Sequence, residues 1–114
     1  MEQDTTHLRV WRNVSRVLDD LKELDKEMPV QQMQVLFYIS THDQCVQRDM
    51  ITALGLKPTS ASRNIAALSK WYKPDVPGLG LVTWVDDLID RRSKRLMLTA
   101  EGRKLMASIA ETLS

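Results

Sequence analysis

The sequence contains one cysteine, two histidines and few aromatic residues among its 114 positions. A single cysteine, Cys45, allows no internal disulfide, which favours a reducing compartment and predicts a cytoplasmic protein. The longest apolar run, at 35–39, is far shorter than the ~20 residues that a membrane-spanning helix requires. The N-terminal residues are polar and acidic, unlike a secretory signal. These features exclude a disulfide-rich scaffold and predict no contact with a membrane.

Residues that carry catalysis or bind metals are equally scarce. The spacing of His42, Asp43 and Cys45 matches no common pattern of metal ligands. No nucleophile can be paired with a base on the basis of the sequence. We therefore expect that the protein is not an enzyme and that it has no metal site and no cofactor.

Charge, by contrast, is plentiful and unevenly distributed. The formal net charge is only +1. Residues 1–28 hold seven acids and five bases, whereas residues 57–104 hold ten bases and five acids. Four of the five residues from 91 to 95 are cationic. Such a positive segment is expected of a surface that faces phosphates, and the simpler alternative is a solvated turn.

The hydrophobic pattern predicts a single domain over 1–114 that is mainly α with a small β-hairpin. We expect an N-terminal helix within 1–28, a second helix at 30–40, a helix-turn-helix at 46–71, a hairpin at 81–99 and a closing helix at 100–114. Gly55 suits the left-handed residue that ends the third helix, and Pro58 suits the start of the fourth. Residues 72–80 contain two prolines and two glycines, which predicts an irregular segment.

The first and last helices each carry an apolar stripe. In the first helix the spacing alternates between four and three residues, as in a heptad seam. Such a stripe either packs against the core of the domain or forms a dimer contact, and the spacing does not distinguish between these alternatives. The candidate dimer interface consists of Val10, Val14, Val17, Leu21, Leu24, Leu105, Ile109 and Leu113.

The segment "DMITALGLKPTSASRNIAALSK" at 49–70 predicts a helix, a glycine turn and a second helix ahead of the hairpin. This is the order of a winged helix-turn-helix, in which the second helix enters the major groove of DNA. Small hydroxylic residues allow that helix to lie close to phosphates, and Arg63 can reach a guanine edge. The candidate DNA-binding residues are Thr59, Ser60, Ser62, Arg63, Asn64 and Lys70 of the helix, and Arg91, Arg92, Lys94 and Arg95 of the hairpin.

These motifs resemble the MarR-type winged helix-turn-helix transcriptional regulators. The resemblance lies in "LGL" and "TSASRNIAAL" within 54–68, in "MPVQQMQVL" at 28–36 and, most specifically, in "DRRSKRLMLTAEG" at 90–102. The last stretch matches the family's wing pattern of Asp-Arg-Arg, a spacer and Leu-Thr-x-x-Gly. The resemblance covers about residues 28–105 and is to a short member of the family with a reduced C-terminal helix.

The resemblance implies a role for several of these residues. Asp90 would pair with a wing arginine and brace the wing. Arg92, with Arg91 or Lys94 beside it, would reach a minor groove or its flanking phosphates. The helix residues would face the major groove, and the terminal helices would form a dimer.

We therefore expect a homodimeric, sequence-specific regulator of transcription that binds double-stranded DNA, most simply a repressor that occludes a promoter. A small-molecule effector is left open. The alternative is a small protein-interaction module of a phage or mobile-element type, which would dock on a polymerase, a replication protein or another regulator. The extra residues at 71–80 keep this alternative open, and the aromatic residues Trp71, Tyr72 and Trp84 are interpreted as packing beneath the wing.

Overall fold

The computed structural model describes residues 5–90 and 92–114 of the chain. In chain order these residues form α1 (Thr5–Leu24), α2 (Val30–Thr41), β1 (Cys45–Val46), α3 (Gln47–Leu54), α4 (Pro58–Leu68), β2 (Trp71–Lys73), β3 (Val76–Pro77), β4 (Val82–Asp86), β5 (Lys94–Leu98) and α5 (Ala100–Leu113). This order confirms the predicted fold class, a mainly α winged helix-turn-helix. The chain divides into two compact units, residues 1–28 with 104–114 and residues 29–103.

In the first unit, α1 ends four residues earlier than predicted. The helix stops at Leu24, and residues 25–28 form a turn in which the Met28 amide donates to the Asp25 carbonyl at 3.2 Å. The Asp25 carboxylate also accepts from the Glu27 amide at 3.1 Å. An aspartate that binds the backbone two residues ahead stabilises a turn at the expense of a helix, so α1 ends before Asp25.

The core of the second unit is built around α2. Helix α2 contacts α3, α4 and β5. Its Val35, Leu36 and Ile39 are at most 1% exposed because they recur on one helix face. The core also contains Met50, Ala61, Ile65, Leu68, Leu81, Val82 and Leu96.

The wing belongs to a three-stranded antiparallel sheet in the order β1-β5-β4. Strands β4 and β5 pair from Val82 opposite Leu98 to Asp86 opposite Lys94, as the predicted hairpin requires. Strand β1 pairs Cys45 with Leu96 and was not predicted. Its two residues are too few to display the alternation by which a strand is recognised.

The turn between α3 and α4 has the predicted geometry. Gly55 lies in the left-handed region at φ 64°, where a side chain would be strained. The Leu56 amide donates to the Ile51 carbonyl at 3.1 Å and thereby satisfies the end of α3. Pro58 is the first residue of α4, where its missing N–H costs no hydrogen bond.

The prediction that residues 72–80 are irregular was wrong. Strands β2 and β3 form a short antiparallel hairpin directly after α4. Pro77 is tolerated because it lies at the end of an exposed edge strand, and the turn passes through Asp75 at φ 66°. Trp71, interpreted from the sequence as a packing residue, is 54% exposed on this hairpin.

Candidate nucleic-acid interface

The solvent face of α4 presents together most of the contact residues that were predicted for this helix. Thr59, Ser62 and Arg63 are exposed and Ser60 is half-buried, while Lys70 is exposed just beyond the helix end. The opposite face is buried through Ala61, Ile65 and Leu68. This division follows from the helical period, since the buried residues recur at spacings of three and four.

Arg63 is positioned with a free guanidinium group. Within residues 5–90 and 92–114, no carboxylate forms an ion pair with it. An unpaired, exposed arginine retains all five of its N–H donors for a ligand. Its neighbours at the surface of α4 are small, so a flat or grooved partner can approach closely.

The prediction that Asn64 contacts DNA is contradicted by its burial. Asn64 is 9% exposed, and its Nδ2 donates to Gln31 Oε1 on α2 at 3.3 Å. It lies three residues after Ala61 and four before Leu68, which places it on the core side of α4. Its amide is therefore used to join α4 to α2.

Asp90 lies at the base of the wing turn and organises it. Its Oδ1 accepts from the Arg92 amide at 3.1 Å, and its carbonyl accepts from the Ser93 amide at 2.9 Å. The carboxylate also lies 3.7 Å from Arg92 Nε. Asp90 therefore accepts hydrogen bonds from two backbone amides of the turn, and its role as a brace stays a prediction.

Three of the four predicted wing cations lie within the described residues and have different environments. Arg91 lies outside the described residues. The Arg92 side chain is 96% exposed and projects into solvent. The Lys94 ammonium group lies 4.5 Å from the centroid of the Trp84 ring, a cation–π contact that holds it against the sheet.

Arg95 contacts other parts of the protein while its side chain remains 35% exposed, and its contact with DNA stays a prediction. Its Nε donates to Asp87 Oδ1 at 3.3 Å, and its Nη1 donates to the Gln44 carbonyl at 3.2 Å. The Asp87 side chain is only 9% exposed, and a buried carboxylate requires a paired charge. Because side chains alternate along β5, Arg95 points to the face opposite Lys94.

A further cation, Arg48, was missed because nothing in its local sequence distinguishes it. Its Nη1 lies 3.4 Å from Asp90 Oδ2 and so connects α3 to the wing. An open groove runs between α3, the start of α4 and the wing. It is lined by Gln47, Arg48, Ile51, Thr52, Pro58, Asp90, Arg92, Ser93 and Lys94.

Some residues of the predicted dimer interface are buried within the single chain, and others are exposed. Val17, Leu21 and Ile109 are at most 6% exposed within the single chain, so they offer almost no surface to a partner. This corrects their assignment to an interface. Val10, Leu24 and Leu113 are 39–49% exposed, while Val14 and Leu105 are half-buried. Trp11 and Leu18 add exposed apolar surface to α1, at 66% and 48%.

Within the part of the chain that the structure describes, no helix is both long and apolar enough to cross a membrane. Nor do three or more His, Cys, Asp or Glu residues cluster as metal ligands in that part of the chain.

The architecture is that of the winged helix-turn-helix proteins, and it matches solved structures of MarR-type regulators. The S. aureus MepR–DNA complex superposes with a TM-score of 0.70 at 21% identity, over 96% of this chain and 82% of that one. YusO of Bacillus subtilis gives a TM-score of 0.65 at 16% identity, over 96% and 70%.

A MarR transcriptional regulator from Methanosarcina mazei Go1 gives a TM-score of 0.62 at 20% identity and covers 92% of this chain. The chain spans 63% of the length of that regulator. No protein-family model and no curated protein matches the sequence. At these identities the similarity establishes the fold.

Proposed function

We propose that the protein is a sequence-specific DNA-binding regulator of transcription. The observation that carries this proposal is the exposed face of α4, where Arg63 is unpaired among small hydroxylic residues. A major groove ~12 Å wide admits a helix of this kind, and only a helix with a small, polar outer face can lie close to the bases.

Recognition of the base sequence is assigned to Arg63. Its guanidinium group can donate two hydrogen bonds to the O6 and N7 atoms of one guanine. The exposed hydroxyl groups of Thr59 and Ser62 donate to phosphate oxygens and fix the depth of α4 in the groove. Ser60 and Lys70 contribute at the margins of the same face.

The wing is assigned to the DNA backbone and the neighbouring minor groove. Arg92 projects from the turn that Asp90 braces, and Arg48 and Lys94 lie along the groove beside it. Several cations on one surface raise the local positive potential, which attracts a polyanion. The similarity of the fold to S. aureus MepR, solved as a complex with DNA, supports this assignment.

We further propose a homodimer that represses transcription by occluding a promoter. The exposed apolar residues Val10, Trp11 and Leu18 on α1 provide a surface that a second copy can cover. A two-fold dimer would read two half-sites one helical turn apart, ~34–36 Å. Selection from a random oligonucleotide pool tests this directly, because it reveals the site, its symmetry and the spacing of its halves.

The primary test is a titration of random duplex DNA at two salt concentrations. A protein that neutralises phosphates binds tightly at low salt and loses affinity steeply as salt increases. We expect this behaviour together with tighter binding to the selected site. Absence of binding at low salt would contradict the proposal.

A protein-interaction module is the second candidate, and a specific feature favours it. Leu88 and Ile89 at the tip of the wing are 95% and 90% exposed. Adjacent exposed aliphatic side chains are typical of protein contacts rather than of phosphate contacts. Failure to bind DNA, together with loss of binding to a protein partner in the double variant Leu88→Ser, Ile89→Ser, would favour the module.

A further inference from the structure

The hairpin formed by β2 and β3 (residues 71–77) is firmly attached to the end of α4. Four backbone hydrogen bonds join residues 78–81 to the last two carbonyls of α4 and to those of the two residues after it, with N–O distances of 2.7–3.0 Å. They run from Gly78 to Lys70, from Leu79 to Ala67, from Gly80 to Ser69 and from Leu81 to Leu68. Satisfied carbonyls at a helix end fix the direction in which the chain leaves it.

A close backbone approach requires glycine at the base of this hairpin. A Cβ atom at Gly78 would clash with the carbonyl oxygen of Ser69 and crowd those of Ala66 and Ala67. The hairpin is therefore held against α4 by contacts that leave no room for a side chain. This restricts where its exposed side chains point.

Two of those side chains lie beside the exposed face of α4. Tyr72 and Lys73 line one shallow pocket together with Ser62, Arg63 and Ala66. The Lys73 ammonium group lies 5.4 Å from the centroid of the Tyr72 ring and is otherwise exposed. The hairpin thus adds a cation and a phenol hydroxyl to the face that carries Arg63.

The charge of this surface is predominantly positive. Arg63 and Lys73 line it, Lys70 is exposed just beyond α4, and Asp75 in the turn is the one carboxylate of the segment 70–80. In the part of the chain that the structure describes, none of the three cations forms a salt bridge. Unpaired cations that lie close together are stabilised by a polyanion.

The hairpin and the wing meet α4 at different places along the helix. The groove beside the wing reaches α4 at Pro58, its first residue. The pocket beside the hairpin reaches α4 between Ser62 and Ala66, from the middle of the helix towards its C-terminal end. A duplex that accommodates α4 in its major groove would therefore be flanked by cations at both ends of the helix.

We propose that the β2–β3 hairpin is a second DNA-backbone contact, in which Lys73 and Tyr72 bind phosphates at the edge of the groove that α4 enters. The proposal rests on the DNA-binding function proposed above and adds a contact to it. The ammonium group of Lys73 supplies charge, and the hydroxyl group of Tyr72 donates one hydrogen bond. Both contacts are independent of base sequence.

The test compares Lys73→Gln with the wild-type protein on the selected site and on random duplex, over a series of salt concentrations. We expect affinity to fall several-fold and by the same factor on both duplexes. The slope of log affinity against log salt should fall by about 0.9, the value for one phosphate contact. Tyr72→Phe should weaken binding without changing this slope.

Two control variants make the result specific. Lys26→Gln removes the same charge from an exposed residue in the acidic N-terminal segment and should leave the salt slope unchanged. Lys73→Arg retains the charge and should retain the slope. Because the Lys73 side chain is exposed, the thermal unfolding temperature should not change in either Lys73 variant.

The two proposals fail in different ways. If the wild-type protein binds no duplex at low salt, the DNA-binding function itself is overturned. If the wild-type protein binds and Arg63→Ala loses its preference, while Lys73→Gln retains both wild-type affinity and wild-type slope, then only the hairpin contact is overturned.

Discussion

At the scale of single residues, Arg63 is expected to determine sequence preference. Substitution by alanine removes both donors to guanine, which should cost about 1–3 kcal/mol of binding free energy and relax the preference at one base pair. Binding to the selected site and to its single-base variants measures both effects. Arg16→Ala, an exposed arginine on α1, is the matched control. Unchanged affinity and preference in Arg63→Ala would remove α4 from the proposed contact surface.

Cys45 is expected to be a poor nucleophile. Burial is the largest of the causes that raise the pKa of its thiol, and the negative charges of Asp43 and Asp49 act in the same direction. A thiol with a raised pKa remains protonated and reacts slowly, because the thiolate is the reactive form. Alkylation by iodoacetamide should therefore be slower in the folded protein than in urea. Equal rates in the two states would contradict this prediction.

The same pKa shift gives a pH dependence of stability. The folded state binds the Cys45 proton more tightly than the unfolded state, so the contribution to unfolding free energy is full below the ordinary thiol pKa. It is lost as pH rises through the raised pKa. Comparison of the wild-type protein with Cys45→Ser in denaturant at neutral and alkaline pH isolates this contribution, since other titrating groups are common to both.

The position of a residue was predictable where a local sequence motif determines the backbone conformation. It was unpredictable where a residue distant in sequence determines the orientation of the side chain. Asp90 lies in a turn whose geometry depends on neighbouring residues, so its position followed from the motif. Asn64 and Arg95 are instead oriented by Gln31 and Asp87, which lie on other elements. Their polar character suggested solvent or DNA, whereas hydrogen bonds to other elements bury Asn64 and hold Arg95. Arg48 was missed because its partner Asp90 lies 42 residues further along the chain.

At the scale of elements, the wing carries two arginines, Arg92 and Arg95, for which we expect different roles. Arg92→Ala should weaken DNA binding by the same factor for all base sequences, because it removes a proposed contact with the DNA backbone. The salt dependence of binding should become less steep. Arg95→Ala should instead lower the free energy of unfolding by about 1–3 kcal/mol, because it leaves the buried Asp87 carboxylate unpaired. Denaturant unfolding and duplex titration of both variants distinguish the roles. The prediction fails if Arg92→Ala destabilises the fold as much as Arg95→Ala.

The longer elements were predictable because each repeats its hydrophobic period several times. Helix α2 and the β4–β5 hairpin were located to within about two residues, and the glycine turn before α4 matched its expected geometry. The short strands were not predictable from their own residues. Strand β1 depends on pairing with β5, and the β2–β3 hairpin depends on its backbone contacts with α4. Prolines and glycines indicated a break after α4 but gave no sign of the second hairpin.

At the scale of the whole molecule, the near-zero net charge is the sum of a positive compact unit and a negative one. Residues 29–103 hold ten bases and seven acids, whereas residues 1–28 and 104–114 together hold six bases and eight acids. The unit that contains α4 and the wing is therefore the positive one. Such a distribution allows one surface to attract DNA while the protein as a whole remains nearly neutral.

The exposed apolar residues of α1 predict how two copies of the protein associate. Trp11 and Leu18 lie seven residues apart on one helix face and are 66% and 48% exposed, a position typical of a helix–helix contact. Charged residues there should prevent association, because they would be desolvated in the interface.

We expect the double variant Trp11→Glu, Leu18→Glu to sediment as a monomer. It should bind a duplex with two half-sites more weakly, and it should bind a single half-site as the wild-type protein does. Arg16→Glu, an exposed change on a different face of the same helix, should remain dimeric. A double variant that still sediments as a dimer would exclude α1 from the interface.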